Sequence, residues 1–215
     1  MRRRSFNARM RRITPEPRPD LTRLGEGAGG WMVPEDMLFD GMVCWSAGTR
    51  DDVTFDLALI KRYGARVRCF DAAPRPGSLA ESLAATSPLF SLHEVTLAAE
   101  NARPRRTVGR AGAGRAGLDP GPQRRLDTLA GEFGEGAIDL LRLDLGGREY
   151  EVLEAHHVAD LGVQILCVEL HHGAPAVRAA NLLRSLRAQG YRLVHRTHPA
   201  ALTLGRTGTR AGPRR

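Results

Sequence analysis

Six short apolar runs recur along this chain, most of them separated by a segment with helical period, and this alternation limits the fold more than any other feature. The runs are Met42 to Ala47, Ala65 to Phe70, Leu89 to Leu97, Ile138 to Leu143, Val163 to Leu170 and Tyr191 to His195. Each is too short for a buried helix and bounded by turn residues, which predicts buried strands. Between the first two, Phe55, Leu57, Leu59, Ile60 and Tyr63 form a helical stripe that Gly64 stops. A strand, a helix and a strand within thirty residues make a parallel crossover unit. The pattern repeats with helices expected over Leu79 to Thr86, Leu126 to Phe133 and Glu149 to His157, and after Pro175, where Ala179, Leu182, Leu183 and Leu186 share one face. Leu202 to Leu204 adds a short seventh strand. The expected fold is therefore α/β, a doubly wound, mostly parallel sheet in a single domain. No apolar run approaches the roughly 20 residues of a membrane-spanning helix.

Charge divides the chain further. Its 32 basic and 24 acidic residues give a formal +8. Residues 1–23 contribute +6, residues 101–125 another +6 and residues 201–215 +4, so the remainder is net −8. The basicity sits in Gly-, Pro- and Ala-rich stretches, and Lys61 is the only lysine. A phosphate-tracking domain carries its charge on a folded face, so nucleic acid is not expected as the main partner. Residues 1–24 and 206–215 read as flexible Arg-rich tails, 25–205 as the domain, and 98–123 as a mobile loop within it. The amino end has no apolar stretch behind its arginines, unlike a secretory signal. Cys44, Cys69 and Cys167 all lie in expected strands, the place for buried thiols in a reducing cytoplasm.

In a sheet of this kind ligands bind beyond the carboxyl ends of the strands, which directs attention to Gly48, Asp71, Asp144, Glu169 and His171. A glycine after the first strand and an acid 23 residues later, after the second, is a general nucleoside signature in which the carboxylate meets ribose hydroxyls. A dinucleotide also wants further glycines and a bare helix start for its pyrophosphate. Here the turn reads Ser46-Ala47-Gly48-Thr49-Arg50-Asp51-Asp52. Two acids at the helix start repel phosphate but tolerate the sulfonium and ammonium of S-adenosylmethionine, whose carboxylate Arg50 could take. The electrostatics favour the methyl donor over NAD.

Several motifs in order then resemble one family. Gly29-Gly30-Trp31-Met32-Val33-Pro34, Asp52 to Ile60, Phe70-Asp71-Ala72-Ala73-Pro74-Arg75, Ile138 to Leu145 and Glu149-Tyr150-Glu151-Val152-Leu153 are similar to the FkbM family of S-adenosylmethionine-dependent methyltransferases. The likeness runs from about Gly29 to His195. It implies a class I, Rossmann-like methyltransferase fold, with Gly48 and Asp71 at the cofactor and Asp144 at the mouth of the site. The chain departs from the family pattern at Arg50, where a second glycine is usual, at Gly146, where a glutamate is usual, at Ala72-Ala73, and after His198.

The resulting expectation is a cytoplasmic methyltransferase using S-adenosylmethionine on a hydroxyl oxygen of a small molecule or sugar, the oxygen preference coming from the resemblance. Gly48, Arg50, Asp71 and Asp144 are the expected cofactor contacts. His171 is the candidate general base, able to take the acceptor's proton. Glu169, a carboxylate in an otherwise apolar strand, is its candidate partner in the crevice. Asp144, Glu169 and His171 are also ligand types that suit a metal, but nothing in their spacing demands one, and none is expected. His93, His156 and His157 are expected to be structural. The alternatives are a degenerate, non-catalytic member that keeps the fold to bind a cofactor or partner, and an Arg-tailed nucleic-acid binder.

Overall fold

The computed structural model describes residues 2–49, 52–103, 121–171, 174–198 and 200–207. In chain order the elements are α1 (Arg2–Arg11), β1 (Leu21–Leu24), β2 (Trp31–Pro34), β3 (Val43–Ala47), α2 (Thr54–Tyr63), β4 (Arg66–Asp71), α3 (Leu79–Thr86), β5 (Phe90–Glu94), β6 (Thr96–Leu97) and β7 (Gln123–Arg124). They continue with α4 (Leu126–Phe133), β8 (Leu140–Leu143), α5 (Glu149–Ala155), β9 (Ile165–Glu169), α6 (Ala176–Ala188), β10 (Tyr191–His198) and β11 (Ala201–Arg206).

Seven strands form one sheet in the order β10-β11-β9-β8-β3-β4-β5. From β9 to β5 every pairing is parallel, and β11 runs antiparallel to both its neighbours. The residues alternate between two apolar layers, as the period of a strand requires. Trp45, Phe70, Leu141, Leu143 and Val168 face one core with Tyr150 of α5 and Leu182 of α6. Cys44, Cys69, Leu140, Ile165 and Cys167 face the other with Phe55 and Leu59 of α2 and Trp31 and Val33 of β2. Helices end where the sequence marks them: Gly64 closes α2 at φ 54°, its N–H donating to Ile60 O at 2.9 Å, a conformation that favours glycine.

Four expectations differ from what is seen. Residues 2–11, read as part of a flexible tail, form a helix with Phe6 and Met10 buried, and residues 21–24 pair with β2. Arginine's high helix propensity and two apolar side chains four apart suffice once a core lies beneath them. The run from Leu89 to Leu97 is two strands, because the Val95 N–H turns to Asp71 O (3.1 Å) and His93 O (2.9 Å), and β6 leaves the main sheet to pair with β7. The loop expected over 98–123 is therefore paired at both ends, with a further bridge between Ala102 and Gln123; its residues 104–120 lie outside those described. At the carboxyl end β11 extends to Arg206, and residues 208–215 lie outside the described set. Among the described residues no helix is long and apolar enough to cross a membrane.

Candidate active site

The carboxyl ends of β3, β4, β8 and β9 bring four of the expected residues to one edge of the sheet. Gly48 follows β3 at φ 76°, and its N–H donates to Phe70 O at 3.2 Å. A Cβ there would run into the Asp144 carbonyl oxygen, so the turn is glycine for two reasons: its left-handed backbone and the approach of the chain after β8. Asp71 ends β4 half-buried. Its Oδ1 accepts from the Ala73 N–H at 2.9 Å, while Oδ2 carries no hydrogen bond among the described residues. Arg50 lies outside the described residues, as does Asp51. Asp52 lies two residues before α2, its Oδ1 accepting from the Thr54 N–H (3.2 Å) and hydroxyl (2.7 Å).

At the centre stands His171, two residues beyond β9. Its Nδ1 is 3.0 Å from Glu149 Oε1 and 3.1 Å from the Glu169 carbonyl oxygen. A carbonyl only accepts, so Nδ1 carries a proton and the neutral ring keeps its lone pair on Nε2. That nitrogen lies 3.6 Å from Asp144 Oδ1. Glu149 is fully buried at the start of α5; its Oε1 also accepts from the Leu145 N–H at 2.6 Å and its Oε2 from the Gly147 N–H at 2.9 Å. Burial pushes its carboxyl up, while these donors and the His171 ring pull it back. The Tyr150 hydroxyl donates to the His171 carbonyl at 3.3 Å, anchoring the backbone beneath the ring.

Glu169 contributes its carbonyl to this group but not its side chain, which turns to His198, with Oε1 3.7 Å from Nε2. The carboxylate that touches His171 is Glu149. The sequence held a signal for it: Glu149 lies beside Tyr150 and Val152 and four residues before Leu153, on the core face of an amphipathic helix, where a carboxylate needs partners. Asp144, Glu149 and His171 each place one ligand atom within 4.8 Å of the others. Glu149 already accepts three hydrogen bonds, which leaves Asp144 and His171 Nε2 to face a cation, with Glu149 behind the imidazole. His156 is structural: buried, with Nδ1 2.7 Å from Val152 O.

Known proteins bear on this geometry at the level of the family. The model of the family described as Methyltransferase FkbM domain matches residues 84–193, just over half of the chain. No curated protein matches the chain.

Proposed function

The chain belongs to the FkbM methyltransferase domain family, and on that footing we propose that it transfers a methyl group from S-adenosylmethionine to a hydroxyl oxygen of a small molecule or sugar. The order β10-β11-β9-β8-β3-β4-β5, with its reversed strand next to the edge, supports reading the fold as class I and Rossmann-like. The observation that carries the function is the oriented His171: a buried carboxylate and a backbone carbonyl fix its tautomer and leave Nε2 at the mouth. This favours an enzyme over a non-catalytic member.

The residues fit the methyl donor. Gly48 presents backbone without a side chain, Asp71 has one oxygen with no hydrogen bond among the described residues that could meet ribose hydroxyls, and Asp52, two residues before α2, disfavours a pyrophosphate there. S-adenosylmethionine, when bound, supplies an electrophilic methyl group on a sulfonium. Gly48, Asp71 and Asp144 would line its place. His171 Nε2 would accept the proton of the acceptor hydroxyl, and Glu149 would stabilise the imidazolium that forms. Holding donor and acceptor in line provides most of the acceleration. The Glu169 side chain faces His198 and not the His171 ring.

Calorimetric titration with S-adenosylmethionine and NAD tests the reading. The methyl donor is expected to bind and NAD not to. Asp71→Ala should lose about 1.5–3 kcal/mol of donor affinity, roughly ten- to a hundred-fold. Tighter binding of NAD, or a folded Asp71→Ala that binds the donor as wild type does, would overturn it.

A further inference from the structure

We infer that Arg142 is a positioning residue for the methyl-donor turn: from the strand that leads to Asp144 it holds the Asp52 carbonyl and the first turn of α2. This rests on the chain being a methyl-donor enzyme, and adds to that site a residue that touches neither donor nor acceptor.

Arg142 lies on β8 in the middle of the parallel sheet, 3% exposed, with Ser46 of β3 and Cys167 of β9 as its register neighbours. An arginine in such a strand is costly unless paired. Its Nη1 donates to Asp56 Oδ2 at 3.3 Å and reaches the Asp52 carbonyl oxygen at 3.5 Å, and its Cζ lies 5.6 Å from the centre of the Phe55 ring. Asp56 is fully buried in the first turn of α2. Burial pushes the Asp56 carboxyl up, and Arg142 is the main charge drawing it down.

Stability alone is a poor account of this pair. Arg142 Nε is buried with no hydrogen-bond partner among the described residues, and a buried ion pair can often be replaced by apolar groups at little cost. Geometry accounts for it better. The turn after β3 is held at one end by Gly48 against the Asp144 carbonyl, a contact that admits no side chain. Towards α2, Asp52 accepts from the Thr54 hydroxyl and gives its carbonyl to Arg142. Both holds come from one stretch of chain, Arg142 to Asp144. The packing of the glycine turn on Asp144 and the placement of the start of α2 are thus set within three residues of β8 and its exit.

The test compares wild type with Arg142→Met/Asp56→Asn, which removes both charges together so that no buried charge is stranded. Thermal unfolding, amide hydrogen exchange over residues 48–57, calorimetric affinity for S-adenosylmethionine, and KM and kcat are measured. The double variant should melt near wild type. Its 48–57 amides should exchange at least about ten-fold faster, and its donor affinity should fall about ten-fold with the acceptor KM unchanged. Unchanged exchange and unchanged donor affinity would overturn the inference and leave the methyl-donor reading standing. A wild type that binds no donor would overturn that reading, and the inference with it. Should the double variant not fold, Arg142→Lys keeps the charge opposite Asp56 but gives up the guanidinium's reach to Asp52; the same exchange and affinity changes are then expected, and their absence overturns the inference equally.

Discussion

The Glu149 carboxylate accepts from two backbone N–H groups and from the His171 ring while shut off from solvent. In Glu149→Gln the amide oxygen can still accept from the Leu145 N–H and from Nδ1, but the negative charge that would stabilise an imidazolium at His171 is lost. The expected loss is about 10²–10⁴-fold in kcat with donor affinity kept. Unchanged kcat would remove Glu149 from the reaction. A second readout is independent of turnover. Burial raises the folded carboxyl above its ordinary value of 4.5, so its contribution to stability is full below that pH and is lost as pH rises through the raised value. Unfolding followed against pH should show this loss in wild type and not in Glu149→Gln.

Among the elements, α1 departs furthest from the sequence pattern. Phe6 and Met10 lie one turn apart on its inner face, each 1% exposed, and α1 packs against α6. Arg196 of β10 donates to the carbonyls of Met10 and, at 2.9 Å, Ile13, so the helix's last turn is tied to the sheet. Next to it the Glu16 N–H donates to Leu193 O at 2.7 Å. Truncating Phe6 to Ala empties a core position, and about 3 kcal/mol of stability should be lost in a denaturant titration. An unchanged midpoint would mean the segment does not hold to the core. Several neighbouring arginines are likewise tied into the fold: Arg18 to Asp20 (2.7 Å) and Asp36 (2.5 Å), Arg62 to Glu35 (3.0 Å).

At the scale of the whole molecule, one sheet separates the two apolar layers and belongs to both. Cys44, Cys69 and Cys167 sit on three of its strands, all fully buried, and burial pushes the thiols of Cys69 and Cys167 up to about 12. Neither layer can open without exposing the strands they share, so unfolding is expected to be a single transition. Thiol labelling across a denaturant series should therefore follow loss of far-ultraviolet circular dichroism. Labelling of any of the three at denaturant concentrations that leave the dichroism native would show a layer opening alone.

Local patterning is enough to find the elements of the sheet and the residues that end its strands. Period and punctuation act over a few residues, and Gly48, Asp71, Asp144 and Gly64 stand where turn chemistry puts them. Of the motifs that resemble the family, Ile138 to Leu145 and Glu149 to Leu153 lie within the residues its model matches, 84–193. Partnership is different, and it emerges only when the chain is folded. The pattern places Asp144 and Glu169 alike beside His171, yet β9 and β10 turn the Glu169 side chain to His198, while α5 brings in Glu149 from 22 residues away. Arg142 and Asp56 read as single charges in two apolar segments, and nothing in either segment shows that they meet. The arginines of residues 2–12 hide a helix because its burial depends on α6 and β10, far along the chain. Alternation of apolar residues is set by the backbone's own geometry, whereas the pairing of a buried charge is set by whatever the fold brings within reach.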